Sequence, residues 1–514
     1  MPAQNRYLPW VIALATLVIY LCFPTKNYYW DGVAFALDIE AAGRLRASLL
    51  HQNHLVYDVL GYLAYKLARL AGAQLRAVEV LTAINSVLSA ACAFVMFHVL
   101  RRSFKSDYLS AVLTLLFAFA ATWWKFSTDV ASYVPSTLLL LLCFYLLLPA
   151  GRPRPFAVAV LHAASMILHQ LAVFFYPAAV AGLLLQTAAF DPGRRISAVL
   201  KYSVVAALLT LGAYYYGFYL LAGTPDPAAF VKWVSTYSSG EGGFTFDAVR
   251  NLTASVRGHV RLFGGGRFKL LRDFINPFTV ALGVLLVVSF AGLCVQLVRH
   301  RGDFKTFAAS APLRGLRRTP GVLALVWALP YVLFIFFFFP EHTFHRLSYF
   351  PALIVLIGAA FANYEARPER RRRWRMALFV AVLALSNFLF YTYPYAHVRK
   401  DTPLSLALEL RRAWPAGTVV LYDFFNSDDD ILRYFNTDVT WQRLGSVSTA
   451  ELDVELRQVY DGGGTVWVET TAIDRITRLE GGAAWLAAHA SGQPTYELTD
   501  PAYKLKVMKL APRP

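Results

Sequence analysis

The chain has 514 residues and a formal net charge of +17; 57% of its residues are hydrophobic, 15% aromatic and only 16% charged. This composition gives more apolar surface than a soluble core of that size requires, so it predicts lipid as the solvent and excludes a soluble globular protein. Lys and Arg outnumber Asp and Glu by 49 to 32, but they occur in short runs between apolar segments. That placement indicates membrane topology and excludes a nucleic-acid-binding surface.

Apolar segments that are long enough to cross a bilayer recur along the first 394 residues. The stretch 156–190 is too long for one span, and His169 and Gln170 interrupt it near the middle, so we expect two short helices that meet there. With nine further segments, this predicts a polytopic helical membrane protein of about eleven transmembrane helices. The nine lie near 8–24, 78–100, 108–124, 133–149, 201–222, 274–298, 321–339, 347–364 and 376–394.

The basic residues predict which loops face the cytoplasm. Lys and Arg are concentrated in alternate loops, which the positive-inside rule assigns to the cytoplasmic side. No small-residue cleavage site follows the first apolar segment, so we interpret it as a retained helix with a cytoplasmic N-terminus. We expect a bacterial inner membrane, with the C-terminus in the periplasm. The basic loops are those around 101–105, 152–154, 194–201, 299–318 and 367–375.

Two of the three long outer segments belong to the predicted transmembrane domain, which covers residues 1–394. Residues 25–77 contain apolar and charged positions at helical spacing, which predicts two amphipathic helices that lie on the membrane. Residues 223–272 contain Gly240, Gly242 and Gly243, then Gly264, Gly265 and Gly266, so we expect this loop to be partly mobile. The same loop contains the sequon Asn251-Leu252-Thr253, a pattern for N-glycosylation.

The third outer segment, residues 395–514, is predicted to form a small extracytoplasmic α/β domain. Strand-like runs at 417–422 and 464–468 are separated by helix-like stretches at 429–434 and 450–459. This alternation is typical of a sheet covered by helices.

Two acids follow predicted spans on the outer side. Asp31 lies just beyond the first span, where a carboxylate could act as a general base or as a metal ligand. An Asp before an apolar-periodic run is also a good helix N-cap, and this alternative stays open. Asp129 lies in the next outer turn with Lys125 and Tyr133, where functional and structural roles are equally compatible with the sequence.

Histidines and one arginine form further candidate groups at the outer ends. His51 and His54 are too sparse for a zinc motif but are suited to hydrogen-bonding a phosphate or hydroxyl. His169 interrupts an apolar region. The turn Glu341–Arg346 also contains His342 and His345, and Arg346 could bind a lipid phosphate through two hydrogen bonds or extend to the headgroups without a specific ligand.

Four short motifs carry a resemblance to a known class of enzymes. They are Trp30-Asp31-Gly32, His51-Gln52-Asn53-His54, the run Phe126–Tyr133 around Asp129, and Leu168-His169-Gln170-Leu171. Together with the long first outer loop and the outer C-terminal domain, they resemble the GT-C class of polyprenyl-phosphate-dependent glycosyltransferases. The motifs are most similar to the protein O-mannosyltransferase-like branch, also called glycosyltransferase family 39-like, and cover about the first 180 residues. A Gln-Asn pair stands where this branch has Pro and Gly between the histidines.

The resemblance implies sugar transfer on the outer face with inversion. Asp31 would deprotonate an acceptor hydroxyl, which attacks the anomeric carbon of a polyprenyl-phosphate sugar as the lipid phosphate leaves. Asp129 would help to bind the acceptor or, with Asp31, a divalent cation such as Mg²⁺ or Mn²⁺. The acceptor would be a protein, lipid or glycan of the cell envelope. The implied substrate-binding residues are His51, His54, Lys125, Tyr133, His169, His342, His345 and Arg346.

A lipid or small-molecule transporter is the alternative interpretation. Transporters place ionisable residues near the bilayer midplane and often have duplicated halves. The sequence shows neither feature, because its candidate residues lie at one predicted interface.

Overall fold

The computed structural model describes residues 6–148, 154–186, 191–235, 244–265, 275–299, 320–365, 374–424, 427–445, 448–499 and 503–512. The chain divides into two compact units. The membrane unit consists of Met1–Pro24 and Ala42–Tyr393, and the sheet unit consists of Thr25–Ala41 and Pro394–Pro514. Residues 25–41, which the sequence places in the transmembrane domain, therefore cluster with the C-terminal residues.

The described part of the membrane unit is helical. Short 3-10 helices lie at Ala47–Leu49, Gln170–Phe175 and Phe344–Tyr349, and a π-helix lies at Phe388–Thr392. The α-helices are α1 (Leu8–Cys22), α3 (Tyr57–Leu70), α4 (Ala77–Phe104), α5 (Asp107–Phe119), α6 (Ala121–Ser127), α7 (Tyr133–Leu147), α8 (Pro155–Leu168), α9 (Tyr176–Leu185), α10 (Pro192–Ala222), α11 (Pro227–Ser235), α12 (Ala248–Phe263), α13 (Pro277–Arg299), α14 (Pro320–Phe337), α15 (Phe350–Glu365) and α16 (Trp374–Asn387).

Six of the described helical segments are long and apolar enough to cross a membrane, as an integral membrane protein requires. They are α4, α10, α14, Pro277–Val295, Phe344–Phe361 and Trp374–Tyr395. The helices α5 and α6 pass the same test together but are bent by 67°. Four apolar segments, namely α1, α7, α8 and Gln170–Leu185, have only 10–17 residues. The count of eleven spans therefore stays a prediction.

The stretch 156–190 breaks at His169, where the sequence predicts a break. His169 has an extended backbone, with φ of −159° and ψ of 118°. Its Nδ1 accepts a hydrogen bond from the Leu171 N–H at 3.2 Å, which caps the 3-10 helix that follows.

The segment 108–124, predicted as one span, is instead broken at Ala120, whose ψ is 138°.

A side chain of α4 binds carbonyl groups in the turn that follows α6. Asn85 Nδ2 donates to the carbonyls of Asp129 at 2.8 Å and Ala131 at 3.0 Å. Because a carbonyl in apolar surroundings has no water to bind, these hydrogen bonds fix the turn that carries Asp129.

The sheet unit contains α2 (Trp30–Ala41) and a five-stranded sheet with the order β2-β1-β3-β5-β4. The pairs β1·β2 and β1·β3 are parallel, whereas β3·β5 and β4·β5 are antiparallel. The strands are β1 (Thr418–Tyr422), β2 (Thr440–Arg443), β3 (Thr465–Glu469), β4 (Thr495–Glu497) and β5 (Lys506–Leu510). The other helices are α17 (Tyr393–Tyr395, at the division between the units), α18 (Pro403–Ala413), α19 (Ser427–Phe435), α20 (Thr449–Asp461), α21 (Thr470–Thr477) and α22 (Gly482–Ala490).

The core of the sheet unit forms where helices cover the parallel strands. Val466 and Val468 of β3 are buried against Leu452 and Leu456 of α20. Helix α2 packs on α19. Tyr434 of α19 donates a hydrogen bond to Glu40 Oε1 at 2.6 Å, which explains why residues 25–41 belong to this unit.

Candidate active site

Most of the predicted site residues lie in one connected group within the membrane unit. They come from the first long loop, the start of α7, the break at His169 and the 3-10 turn before α15. We call this group the histidine–arginine cluster; its members are His51, His54, Tyr133, His169, His342, His345 and Arg346.

The first half of the cluster joins the first long loop to the break at His169. The imidazole rings of His51 and His54 are stacked, with centroids 4.3 Å apart and an interplanar angle of 10°. Between them, the Asn53 carbonyl accepts a hydrogen bond from the Gln170 N–H at 2.8 Å. The residues that the motifs singled out separately are therefore held together by the backbone.

Tyr133 links the two halves of the cluster. Its ring packs on His169, with centroids 4.2 Å apart, and its hydroxyl is 3.0 Å from His345 Nδ1. The ring of His345 lies 5.5 Å from that of His342. One tyrosine thus brings together two histidines, His169 and His345, that are 176 positions apart in the sequence.

Arg346 is fully buried, although it carries a permanent charge. Its Nη1 donates to the His342 carbonyl at 2.5 Å and its Nη2 to the Pro340 carbonyl at 2.7 Å. The exposed Glu341 interacts with Arg346 electrostatically. Among the described residues, Arg346 Nε has no hydrogen-bond partner. A buried unsatisfied donor typically costs about 1–3 kcal/mol, so this atom identifies a place where an acceptor would be stabilised.

A second such atom is close to Arg346. His345 is buried, and its Nε2 also lacks a hydrogen-bond partner in the part of the chain that the structure describes. A guanidinium and an imidazole in apolar surroundings are suited to an anion that can accept several hydrogen bonds.

Lys125 and Asp129 form a buried ion pair next to the cluster. Lys125 Nζ is 2.5 Å from Asp129 Oδ2, and the Asp129 side chain is fully buried. Asp129 Oδ1 accepts a hydrogen bond from the Val130 N–H at 2.8 Å. Phe126 connects the pair to the cluster, because its ring lies 4.4 Å from Lys125 Nζ and 6.3 Å from the Tyr133 ring.

The histidines of the first loop are neutral at physiological pH. Burial lowers the pKa of His51 to about 4. The pKa of His54 is well below its usual range because of burial and the neighbouring His51 and His169. Neutral imidazoles bind anions by donating one hydrogen bond rather than through charge, so Arg346 is the cluster's permanent cation.

Asp31 lies in the sheet unit, in the first turn of α2. The Tyr29 hydroxyl donates a hydrogen bond to Asp31 Oδ2. Burial raises the pKa of Asp31 above its usual range, and the Tyr29 hydrogen bond opposes that shift. A carboxylate with a raised pKa accepts a proton more readily than a carboxylate with an ordinary pKa.

Sequence analysis missed Asp430, whose pKa is affected by the charge of Asp31. The pKa of Asp430 is raised to about 6, mainly by burial and in smaller part by the charges of Asp38 and Asp31, whereas Arg433 lowers it. Arg433 forms an ion pair with Asp430 at 3.1 Å. The only signal in the sequence was the run of acids at 428–430.

The sequence predicts a divalent cation held by Asp31 and Asp129, which belong to different units of the chain. Within the ranges that the structure describes, no group of three or more His, Cys, Asp and Glu side chains could hold a metal ion. Both carboxylate oxygens of Asp129 have protein partners. A cation bound by Asp31 and Asp129 stays a prediction, and we derive no step through it.

Two further residues that the sequence analysis missed, Gly258 and His259, lie on α12 next to the cluster. A Cβ at Gly258 would lie only 2.5 Å from Arg346 Cζ, so glycine allows the guanidinium to pack on the helix backbone. His259 Nε2 is 3.0 Å from the hydroxyl of Tyr349. A Gly-His pair within a basic helix was the available signal.

Asn251, in the sequon of the same helix, is fully buried. Its Nδ2 donates a hydrogen bond to the Thr245 carbonyl at 2.7 Å.

The expected mobility of the loop 223–272 rests on six glycines, of which the structure describes two. Gly264 and Gly265 directly follow α12 and are described, whereas Gly240, Gly242, Gly243 and Gly266 lie outside the described residues.

Comparisons with known proteins identify the fold. No protein-family model and no curated protein matches the chain. Crystal structures of ArnT from Cupriavidus metallidurans, bound to undecaprenyl phosphate and in the apo state, each match with a TM-score of 0.57 over 98% of this chain and 97% of ArnT, at 12% and 13% sequence identity. A cryo-EM structure of the arabinofuranosyltransferase AftD from Mycobacteria matches with a TM-score of 0.43 and 14% identity, over 99% of this chain and 40% of AftD.

The ArnT matches extend over nearly the whole chain, whereas a TM-score as low as that of AftD does not establish a common fold. The chain is therefore similar to ArnT in fold over nearly its whole length, and its described residues form a helical membrane fold. The mannosyltransferase-like branch is not confirmed.

Proposed function

We propose that this chain is a membrane glycosyltransferase that moves a sugar from a polyprenyl-phosphate donor to an acceptor hydroxyl. The observation that carries the proposal is a pair of buried nitrogens, Arg346 Nε and His345 Nε2, that have no hydrogen-bond partner among the described residues. A phosphate group would satisfy both. The source of that phosphate is suggested by the fold, because ArnT, which is similar over nearly its whole length, has been crystallised with undecaprenyl phosphate.

Arg346 acts on the leaving group in this mechanism. As the bond between the anomeric carbon and the phosphate oxygen breaks, the electron pair moves to the phosphate and its negative charge increases. Arg346 is held by the carbonyls of His342 and Pro340, so its charge is already in place and does not have to reorganise. Fixed donors in a dry site stabilise such developing charge more strongly than water does.

The histidines complete the phosphate site by hydrogen bonding. His54 and His345 are buried, and the first of these is neutral because burial lowers its pKa. A neutral imidazole donates one hydrogen bond and leaves the total charge of the site to Arg346. Lys125, which is paired with Asp129, supplies a second cation near the cluster.

Asp31 is proposed as the general base. This role rests on the resemblance of Trp30-Asp31-Gly32 to the first-loop acid motif of the class: the base takes the proton of the acceptor hydroxyl while that oxygen bonds to the anomeric carbon and the phosphate leaves from the opposite side of that carbon. Inversion follows from this single displacement. The raised pKa of Asp31 supports the role, since proton transfer is most efficient when the pKa of the base is near the working pH.

The test compares sugar transfer by wild-type protein, Asp31→Asn and Arg346→Gln. Purified protein is incubated with native membrane extract and a panel of radiolabelled polyprenyl-phosphate sugars, including the mannose donor that the resemblance implies. Arg69→Gln is the matched control, because Arg69 is exposed on α3. We expect transfer from one donor that is lost in both site variants and retained in the control.

Two outcomes would contradict the proposal. Full activity of Asp31→Asn would remove Asp31 from the mechanism. Folded wild-type protein that transfers no sugar from any donor would overturn the glycosyltransferase assignment, and a lipid-translocation assay would then test the transporter alternative.

A further inference from the structure

The exterior of α12 carries two adjacent stripes of side chains that the proposed reaction does not use. One stripe is aliphatic and the other is basic. We call them together the α12 outer face; its members are Val249, Leu252, Val256 and Val260, and Arg250, Arg257 and Arg261.

The aliphatic stripe is highly exposed. Val249, Leu252, Val256 and Val260 are 77%, 60%, 57% and 65% exposed, respectively. Their spacing of three, four and four residues places them along one line of the helix. Four neighbouring aliphatic side chains form a continuous apolar strip, which is unfavourable in water and favourable at the boundary of lipid acyl chains.

The basic stripe lies beside it. Arg250, Arg257 and Arg261 are all exposed, and α12 contains no acidic residue. Asp247, the nearest acid before the helix, is the N-cap, because its side chain accepts hydrogen bonds from the N–H groups of Val249 and Arg250. The charge of this face is therefore uniformly positive.

The opposite side of α12 is anchored to the membrane unit. Thr122 Oγ1 donates to the Arg261 carbonyl at 3.0 Å, and the Tyr349 hydroxyl is 3.0 Å from His259 Nε2. Gly258 packs against the guanidinium of Arg346. These contacts fix the rotation of the helix, so the α12 outer face is always the side that points away from the protein. With three arginines in 16 residues, α12 is too short and too charged to cross a bilayer.

We infer that the α12 outer face docks on the bilayer surface and binds anionic phospholipid headgroups. The aliphatic stripe enters the boundary between headgroups and acyl chains, while the arginines bind phosphate groups of neighbouring lipids. Because this face is positively charged and has no carboxylates, we expect it to bind anionic lipids rather than zwitterionic ones. The inference does not depend on the proposed sugar transfer.

The experiment measures lipid selectivity of the full-length protein in bilayers. Spin-labelled phosphatidylglycerol and spin-labelled phosphatidylcholine are compared for the fraction of lipid that the protein immobilises. The test variant is Arg250→Gln/Arg257→Gln/Arg261→Gln, since Gln keeps good helix propensity without the charge. The control is Arg411→Gln/Arg412→Gln/Arg478→Gln, which removes three exposed arginines of the sheet unit.

We expect wild type and the control to prefer phosphatidylglycerol, and the α12 variant to lose that preference by about fivefold for each arginine that binds a headgroup. Unchanged selectivity of the α12 variant would overturn the inference. If the α12 variant also lost a protein complex while its lipid selectivity stayed unchanged, the face would be assigned to a protein partner and the inference would be wrong. Sugar transfer measured in neutral detergent tests the proposed function separately, because no bilayer is present.

Discussion

Two cations in the membrane unit differ in how their charge is satisfied. Lys125 has a carboxylate at 2.5 Å, whereas Arg346 donates to two backbone carbonyls and leaves Nε without a hydrogen-bond partner in the described residues. The resemblance implied substrate binding for both. We interpret the Lys125–Asp129 pair as mainly structural, whereas we propose Arg346 as the cation that binds a ligand.

Removing one partner of the pair should give the largest loss of stability. In Asp129→Asn, Lys125 keeps its charge in a buried position without a counter-charge. Breaking a buried pair in this way typically costs about 3–5 kcal/mol. We expect a strongly lowered thermal midpoint in detergent, and a midpoint equal to that of wild type would show that the pair is not structural.

Substitution of Arg346 should lower the activity and leave the stability nearly unchanged. We expect Arg346→Lys to lower kcat/KM by about 100-fold, because Lys cannot reproduce the guanidinium fork that holds the charge in place. The thermal midpoint should stay within a few degrees of wild type. Activity near the wild-type level would mean that any cation at this position is sufficient.

Gly258→Ala should displace Arg346 without removing it. The added Cβ would come within 2.5 Å of Cζ, so the guanidinium must shift, and we expect about a tenfold loss in kcat/KM. Gly212→Ala is the matched control, because nothing lies within 4 Å of that helical position. If the loss acts through the Arg346 guanidinium, it should disappear when Gly258→Ala is added to Arg346→Lys, which keeps measurable activity; a full additional loss would show an independent effect.

The smallest effect concerns acid stability. His51 has a folded-state pKa of about 4, below its unfolded value near 6.5, so the unfolded chain binds the proton first as the pH falls. Stability is therefore lost between about pH 6.5 and pH 4. We expect the drop in thermal midpoint from pH 7 to pH 5 to be smaller in His51→Gln than in wild type; an equal drop would argue against a neutral buried His51.

Structural features that depend on local sequence could be predicted. Apolar runs located the helices, and the polar pair at His169 located a break, because both signals lie within one segment. Contacts between segments could not be predicted in the same way. The periodicity of α4 does not indicate that Asn85 binds the turn after α6, and α12 gives no local signal that Gly258 packs on Arg346.

The sheet unit shows the same limit. The runs at 417–422 and 464–468 correspond to β1 and β3, which the sequence indicated through their strand-like composition. The packing of α2 on α19 joins residues that are about 400 positions apart, and only tertiary structure brings them together. This is why Asp31 was assigned to a membrane loop and its neighbour Asp430 was missed.

The buried sequon has a practical consequence for producing the protein. Asn251 uses its side-chain nitrogen, the atom to which a glycan is attached, to bind the Thr245 carbonyl inside the fold. In a eukaryotic expression host, a sugar chain added at this asparagine during synthesis would keep α12 from docking on the membrane unit. The fraction of glycosylated protein in such a preparation would therefore measure the fraction of misassembled molecules. Gel electrophoresis would detect that fraction by its altered mobility.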